Sequence, residues 1–268
     1  MVKSGPLFFS LLLFSACAGG PVSSPAASSA NADASEQHFF YSMPAGNGLV
    51  FIGAAGKRSN SNDTLQFALE DAAQRVAIFY HIFGEYAIEN NVGSGAFDYT
   101  YDVNKTLYYD KEGAAQYIDA LQYDIDTDTV EIDNAFFIRT TYPSALPFPV
   151  NYRPKYSGKN NKPDWIDNPP LKLDGYYAGV GFSSRYSSMA DTYTNSCHNA
   201  IFSIIRSINA DVQNNSLLYQ NTGNLFGYKT SNENIVYSYG TLNGFYVLDT
   251  WIDPQSKTIW TLAIARKE

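Results

Sequence analysis

Cysteine, histidine and charged side chains are all scarce in this sequence, and each shortage excludes a class of protein. Two cysteines and three histidines occur among 268 residues, too few for a disulfide framework or for a zinc site built from paired Cys-x-x-Cys motifs. Charged residues make up 16% of the chain and apolar residues 45%, which predicts a packed core rather than a disordered body. Acidic residues outnumber basic ones by 26 to 18, for a net charge of −8, and an acidic surface repels nucleic acid.

The sequence also lacks an apolar run long enough to cross a membrane as a helix. Its first apolar run, residues 7–14, follows Lys3 and ends before Gly19, well short of the ~20 residues that a membrane-spanning helix needs. A basic residue, a short apolar run and small residues, in this order, are typical of a secretory signal. Cys17 stands directly after the small residues, and this arrangement resembles the lipobox of a bacterial lipoprotein.

The resemblance to a lipobox implies that residues 1–16 are a signal peptide cut off before Cys17. It also implies that Cys17 carries a thioether-linked diacylglycerol and an acylated amino group. The alternative is an ordinary signal peptide whose cleavage site contains a cysteine. Residues 17–37 are rich in Ala, Ser, Pro and Asn and cannot bury enough apolar surface to fold, which predicts a flexible tether. We therefore expect a lipid-anchored protein of the bacterial cell envelope, in the outer membrane, with this covalent lipid and no other cofactor.

Two parts of the body share a pattern of strand, helix and hairpin. Residues 48–56 and residues 176–183 are each predicted to form a strand, and each is followed by apolar residues at helical spacings of three and four. The first apolar stripe continues through Phe83, and its helix is predicted to end at Asn90. Ser188 is predicted to begin the second helix.

The two occurrences of this pattern are separated by a nearly constant distance along the chain. Gly53 lies 126 residues before Gly179. In the hairpins, Asp126 lies 127 residues before Asp253, and the first hairpin is predicted to turn at residues 127–129. An internal repeat is therefore expected. The predicted fold class is α+β, with two tandem repeated units, each a strand, a helix and antiparallel strands, and with the helix packed on one face of the sheet.

Prolines mark the predicted boundary between the units. Seven of the 12 prolines fall in residues 142–170, which argues against regular structure and for a connector. The chain is therefore expected to divide, after the signal peptide and the tether, into a first α+β unit at residues 38–141, this connector, and a second α+β unit at residues 171–268.

The distal half resembles a family of bacterial lipoproteins. It contains the segment PDWI at residues 163–166 and YYAGVG at residues 176–181, then a helical pattern, and it closes in a hairpin that ends in LAIAR at residues 262–266. Together with Cys17, this order is similar to that of the Lpp-twenty lipoproteins over residues 163–268, and the first half resembles a divergent second copy. The resemblance implies an envelope lipoprotein, associated in some relatives with the outer membrane or the flagellar apparatus, and it implies no catalytic residue.

Aromatic residues form the candidate contact surface. Trp165 lies in an irregular segment bounded by prolines and is expected to be exposed, while Tyr99 and Tyr101 alternate along a predicted strand. Exposed aromatic rings of this kind would suit a sugar-binding face. The alternative is that the alternating tyrosines pack against side chains of neighbouring strands.

Three other patterns resemble chemical sites, and each fails on a required feature. Residues 53–58 lack the hydroxyl residue that follows the lysine of a phosphate-binding loop. The aspartates of residues 124–128 lack the glycine and the glutamate of a calcium loop. Cys197 and His198 are adjacent, so they point ~100° apart on a helix, which is wrong for a nucleophile and its base, and Cys197 is expected to be a buried thiol. The sequence predicts no catalytic residue and no metal site.

The expected function is that of a non-enzymatic structural or protein-interaction module of the envelope. Its expected partners are the membrane, through the lipid, and envelope proteins or a second copy of the chain. A module that binds a glycan or a peptidoglycan fragment is the alternative, and an enzyme with an unrecognised site is a third.

Overall fold

The computed structural model describes residues 39–42, 48–91, 99–144, 150–157, 159–214, 226–230 and 235–266. The predicted signal peptide, Cys17 and the tether lie outside these residues.

The body contains two long helices and ten strands among its described residues. In chain order the elements are β1 (Gly48–Gly56), α1 (Ser61–Tyr80), β2 (Ile82–Asn91), β3 (Tyr99–Tyr108), a 3₁₀ helix (Gly113–Ala120), β4 (Thr129–Ile132), β5 (Ala135–Pro143), two 3₁₀ turns (Lys159–Asn161 and Asp164–Ile166), β6 (Lys172–Leu173), β7 (Tyr176–Ser183), α2 (Met189–Asn214), β8 (Phe226–Thr230), β9 (Ile235–Ile252) and β10 (Ile259–Arg266). The predicted bounds of β1 and β7 are confirmed.

The described strands form two antiparallel sheets. Three strands pair in the order β1-β5-β4. Seven strands belong to the second sheet, six of them in the order β3-β2-β9-β10-β7-β6, while the seventh, β8, pairs with β9. The predicted α+β class is confirmed. The hairpin of β2 and β3 comes from the first half of the chain, yet β2 pairs along β9 of the second half, so the two halves share one sheet.

The two helices begin with side-chain caps. Asn60 caps α1, because its side chain accepts a hydrogen bond from the backbone N–H of Asn62 at 3.1 Å. Ser188 caps α2, because its hydroxyl accepts from the backbone N–H of Asp191 at 3.0 Å. The predicted start of the second helix at Ser188 is thereby confirmed.

The predicted end of the first helix is wrong. α1 ends at Tyr80, His81 is already extended, and the following ten residues form β2. This segment pairs with β3 on one side and with β9 on the other. Those two ladders satisfy its backbone as a strand, so Phe83, expected on the helical stripe, lies in β2 instead.

The turn of the first hairpin also differs from its prediction. β4 and β5 turn at Asp133 and Asn134, which both have a positive φ, of 45° and 64°. A two-residue hairpin turn needs two residues in the left-handed backbone conformation to match the twist of its strands, and Asp and Asn adopt this conformation readily. The predicted turn at residues 127–129 belongs to a separate turn before β4, in which the backbone N–H of Asp128 donates to the carbonyl of Asp124 at 2.8 Å.

Each helix packs closely on a glycine of a neighbouring strand. A Cβ built on Gly53 of β1 would lie 1.9 Å from the carbonyl oxygen of Ala68 in α1. A Cβ built on Gly181 of β7 would lie 2.1 Å from the carbonyl oxygen of Ser196 in α2. Neither strand could approach its helix this closely with a larger residue, so close strand-to-helix packing accounts for Gly53 of the failed phosphate-loop pattern.

Helix side chains also bind the backbone of these two strands. Asp71 of α1 accepts a hydrogen bond from the backbone N–H of Ala54 in β1 at 2.9 Å. Asn199 of α2 donates its side-chain amide to the carbonyl of Phe182 in β7 at 2.7 Å. Each helix is therefore held to its strand by a polar contact as well as by packing.

Candidate functional site

Trp165 is buried, so the expectation that it is exposed is wrong. Only 1% of its surface is accessible, and its indole N–H donates to Oδ2 of Asp249 at 2.7 Å. The prolines around it hold the segment in a 3₁₀ turn that starts after Pro163. The large ring then packs into the core, and its one polar atom finds an acceptor there. Trp165 is an anchor of the connector and takes no part in an exposed contact surface.

Asp249 is the most unusual side chain of the described core. It is fully buried and lies at a β-bulge, because Leu262 of β10 pairs with Asp249 whereas the next residue, Ala263, pairs with Val247. A bulge changes the direction of neighbouring side chains. Burial raises the pKa of Asp249 to about 7, while the hydrogen bond from Trp165 works against this increase.

Phenol groups surround this carboxyl. Burial, and then the charge of Asp249, raises the pKa of the Tyr156 phenol. Burial, and then the charges of Asp164 and Asp249, raises the pKa of the Tyr152 phenol. Tyr156 lies close enough to favour the charged form of Asp249. However, neither the Tyr156 hydroxyl nor Oδ1 of Asp249 has a hydrogen-bond partner of good geometry among the described residues. The centre is therefore a buried acid that changes charge near neutral pH and has one oxygen without a good donor.

A second polar cluster lies between the two helices. Nε of Arg75 donates to Oδ2 of Asp71 at 3.0 Å, and Nη2 lies 2.9 Å from the same oxygen. The guanidinium also covers the ring of Tyr193 at 4.4 Å. Burial disfavours its charge, but Asp71 together with Cys197 and Tyr193 outweighs burial, and the pKa of Arg75 is raised. A paired and hydrogen-bonded guanidinium of this kind fastens α1 to α2.

Cys197 and His198 are adjacent on α2 and lie beside a small cavity. Cys197 is a free, buried thiol, as predicted. Burial and the nearby charge of Arg75 lower the pKa of His198 to about 4, so the imidazole is neutral at pH 7. The cavity beside them measures about 20 Å³, which is room for about one water molecule.

The remaining candidates from the sequence do not converge on a site. Tyr99 and Tyr101 belong to β3, and their side chains lie outside the described residues. Asp124, Asp126 and Asp128 make turn contacts with one another, and the described part of the chain holds no group of three metal-binding side chains. No helix among the described residues is long and apolar enough to cross a membrane.

Sequence reasoning missed an exposed apolar strip at the seven-stranded sheet, formed by the exposed side chains of Leu171 and Phe182 and the half-buried side chains of Val180 and Trp260. Gly181 faces α2, so its neighbours Val180 and Phe182 face away from the helix. Phe182 is 53% exposed and Leu171 is 71% exposed, and the ring of Phe182 stacks on Trp260 with centroids 4.9 Å apart. The alternation of glycine with larger apolar residues in β7 was the signal that could have predicted this strip.

Asp249 was equally overlooked, and its signal was a carboxylate in the middle of the apolar run from residue 245 to residue 252. The exposed apolar strip and the buried centre of Asp249 and Trp165 are the two features of the described body that its packing alone does not explain. Comparison of the chain with protein-family models, with curated proteins and with solved structures finds no match.

Proposed function

We propose that this chain is a lipid-anchored protein of the bacterial envelope, attached through Cys17 and similar in kind to the Lpp-twenty lipoproteins. Its body is proposed to be a non-enzymatic module that binds a protein partner. The observation that carries the anchor is the short apolar run that ends in small residues and Cys17, followed by a tether without a predicted fold.

We expect Cys17→Ser to abolish lipid attachment, because serine offers no thiol for the thioether. The measurement is incorporation of a labelled fatty acid into the protein in growing bacterial cells, together with the mass of its amino end. Cys197→Ser is the matched control and should be labelled like the parent, since it removes the only other cysteine. Labelling of Cys17→Ser at the level of the parent would contradict the proposed anchor.

The exposed apolar strip supports the proposed binding of a protein partner. Apolar residues scattered singly over a surface are ordinary, but adjacent ones mark contact sites more often. Phe182 and Trp260 are direct neighbours across β7 and β10, and aromatic residues are enriched at the centres of protein interfaces. A partner that covers the strip would remove these rings from water.

A photo-crosslinking amino acid placed at Phe182 is expected to capture one recurring protein in intact cells, either an envelope protein or a second copy of the chain. Mass spectrometry of the adduct identifies it. Tyr108 is the control position, because it is 52% exposed and lies on β3, at the other end of the sheet order. A recurring adduct at Phe182 that Trp260→Ser weakens supports the proposal, whereas no adduct or the same adducts at both positions would count against it.

We also propose that the two halves are copies of one unit. Three pairs of equivalent contacts support this, all at a separation of 128 residues. Thr64 and Thr192 each accept from the backbone N–H six residues earlier and donate to the carbonyl four residues earlier. The other two pairs are the helix-to-strand contacts of Asp71 and Asn199 and the close approaches of Gly53 and Gly181.

A further inference from the structure

We propose that the described residues 150–157 and 159–173 form a pH-dependent strap across the seven-stranded sheet, closed over a protonated Asp249 and loosened when Asp249 loses its proton, because the closed strap buries the carboxyl without a cation among the described residues. This inference concerns the body of the chain and is independent of its anchor and its partner. Its consequence is an apolar sheet face whose exposure depends on pH.

The strap has little regular structure of its own. Its described part contains two 3₁₀ turns of three residues and the two-residue strand β6. Its side chains instead enter the core, where Val150 and Trp165 join the same apolar cluster as Trp251, Leu262 and Ile264. A segment with few backbone hydrogen bonds opens more easily than a strand or a helix.

Polar contacts fasten the strap at few points. The hydroxyl of Tyr41 donates to the strap carbonyl of Tyr152 at 2.6 Å, and the indole N–H of Trp165 donates to Asp249 at 2.7 Å. The indole N–H of Trp251 in β9 donates to the strap carbonyl of Asn160 at 3.4 Å, and the backbone N–H of Ala178 donates to Leu171 at 3.0 Å. Of these contacts, the bond to Asp249 is the one that joins the strap to a carboxyl group.

Burial favours the neutral form of Asp249 and outweighs the contacts from Trp165, Tyr156 and the backbone of Thr250, which favour its charged form. From the strap it is faced by Asp164, whose charge repels it, and by the phenol of Tyr156. Tyr152 of the strap and Tyr41 of the preceding segment respond to its charge, and β10 places Leu262 opposite it. Among the described residues no lysine or arginine forms an ion pair with Asp249.

The direction of the pH effect follows from linkage. In the closed state the pKa of Asp249 is about 7, whereas with the strap open the carboxyl meets water and titrates near its ordinary value of about 4. Closing therefore takes up a proton between these values. The closing equilibrium constant is expected to fall about tenfold for each pH unit between about pH 4 and pH 7, and to stay level above this range.

Global stability is a poor measure of this opening, because His198 acts in the opposite direction. Burial and Arg75 hold its pKa at about 4, below the ordinary value of about 6.5. The folded protein therefore binds fewer protons than the unfolded one between these values, and acidification removes stability there. The test must observe the strap itself.

Acrylamide quenching of tryptophan fluorescence in the full chain carrying Trp260→Phe provides that test. Of the three tryptophans, Trp165 and Trp251 then remain, and both belong to the cluster that the strap enters. We expect the quenching constant to rise between about pH 5 and pH 7 and to stay level above this range, and we expect no rise when Asp249→Asn is added. Asp119→Asn removes an exposed carboxylate and should retain the rise.

Hydrogen exchange on the full chain provides the second measurement and needs no variant at Asp249. After correction for intrinsic exchange, the strap amide of Asn168, which donates to Asp164 at 3.0 Å, should open more as the pH rises, while amides of α2 keep their protection. Opening of the strap that is independent of pH would overturn the proposal. The same conclusion would follow if the strap and α2 opened together, or if Asp249→Asn showed the quenching rise of the parent.

Discussion

Gly181→Ala is expected to prevent stable folding. The added Cβ would lie 2.1 Å from the carbonyl oxygen of Ser196 and 2.2 Å from the backbone nitrogen of Ala200. Both atoms belong to the backbone of α2, so no side-chain rotation relieves the contact, and α2 must move away from β7. Overpacking of this kind costs ~1–3 kcal/mol when side chains can adjust, and more when they cannot.

The free energy of unfolding, measured by urea denaturation with circular dichroism, checks this expectation. Gly53→Ala should have an effect of the same order, since its Cβ would meet the carbonyl of Ala68 at 1.9 Å. Gly56→Ala is the matched control, because it lies in the same strand and a Cβ there meets nothing within 4 Å. If Gly181→Ala unfolded at the urea concentration of the Gly56→Ala control, the close helix-to-strand packing would be refuted.

Trp165→Ala should have the second large effect. Truncation of a buried tryptophan costs ~3–5 kcal/mol, and the loss of the indole N–H leaves Asp249 without the one donor that it meets at 2.7 Å. An unsatisfied buried group adds ~1–3 kcal/mol. The variant should therefore expose the apolar face that the connector covers.

Comparison with Trp165→Phe separates the two contributions. Phenylalanine keeps most of the buried ring but donates no hydrogen bond, so its deficit in the free energy of unfolding should be ~1–3 kcal/mol. The deficit should be greater at about pH 8, where Asp249 is charged, than at about pH 5, where it is protonated. A deficit of Trp165→Ala no larger than that of Trp165→Phe would contradict the packing of this ring in the core.

Elements that depend on local sequence were the ones that could be predicted. The strands β1 and β7 have short apolar runs and flanking turn residues, and Ser188 has the side chain that a helix start requires. The end of α1 was not predictable in this way. Phe83 fits the helical spacing, and it enters a strand because β3 and β9 offer ladders on both sides. β9 lies in the second half of the chain, and the local periodicity around Phe83 carries no information about it.

The candidate site was less predictable than the fold, because it depends on a contact across 84 residues. Trp165 stands among prolines and polar residues, and such surroundings favour exposure. Its burial is stabilised by Asp249, which supplies a hydrogen-bond acceptor for the indole N–H. This acceptor lies at a bulge that the apolar run of β9 does not predict. The exposed apolar strip was visible only as an alternation with glycine, whose meaning depends on which side of β7 the helix occupies.

The contacts of Asp71 and Asn199 have a consequence for chains held close together at a surface. β1 is the outermost strand of its sheet, and β7 is covered by β6 only at Tyr176 and Tyr177. Asp71 supplies an acceptor where β1 presents an N–H, and Asn199 supplies a donor where β7 presents a carbonyl. Each helix thus occupies a backbone group that a strand of a second molecule would otherwise pair with. This protects the two sheet edges against polymerisation by strand addition.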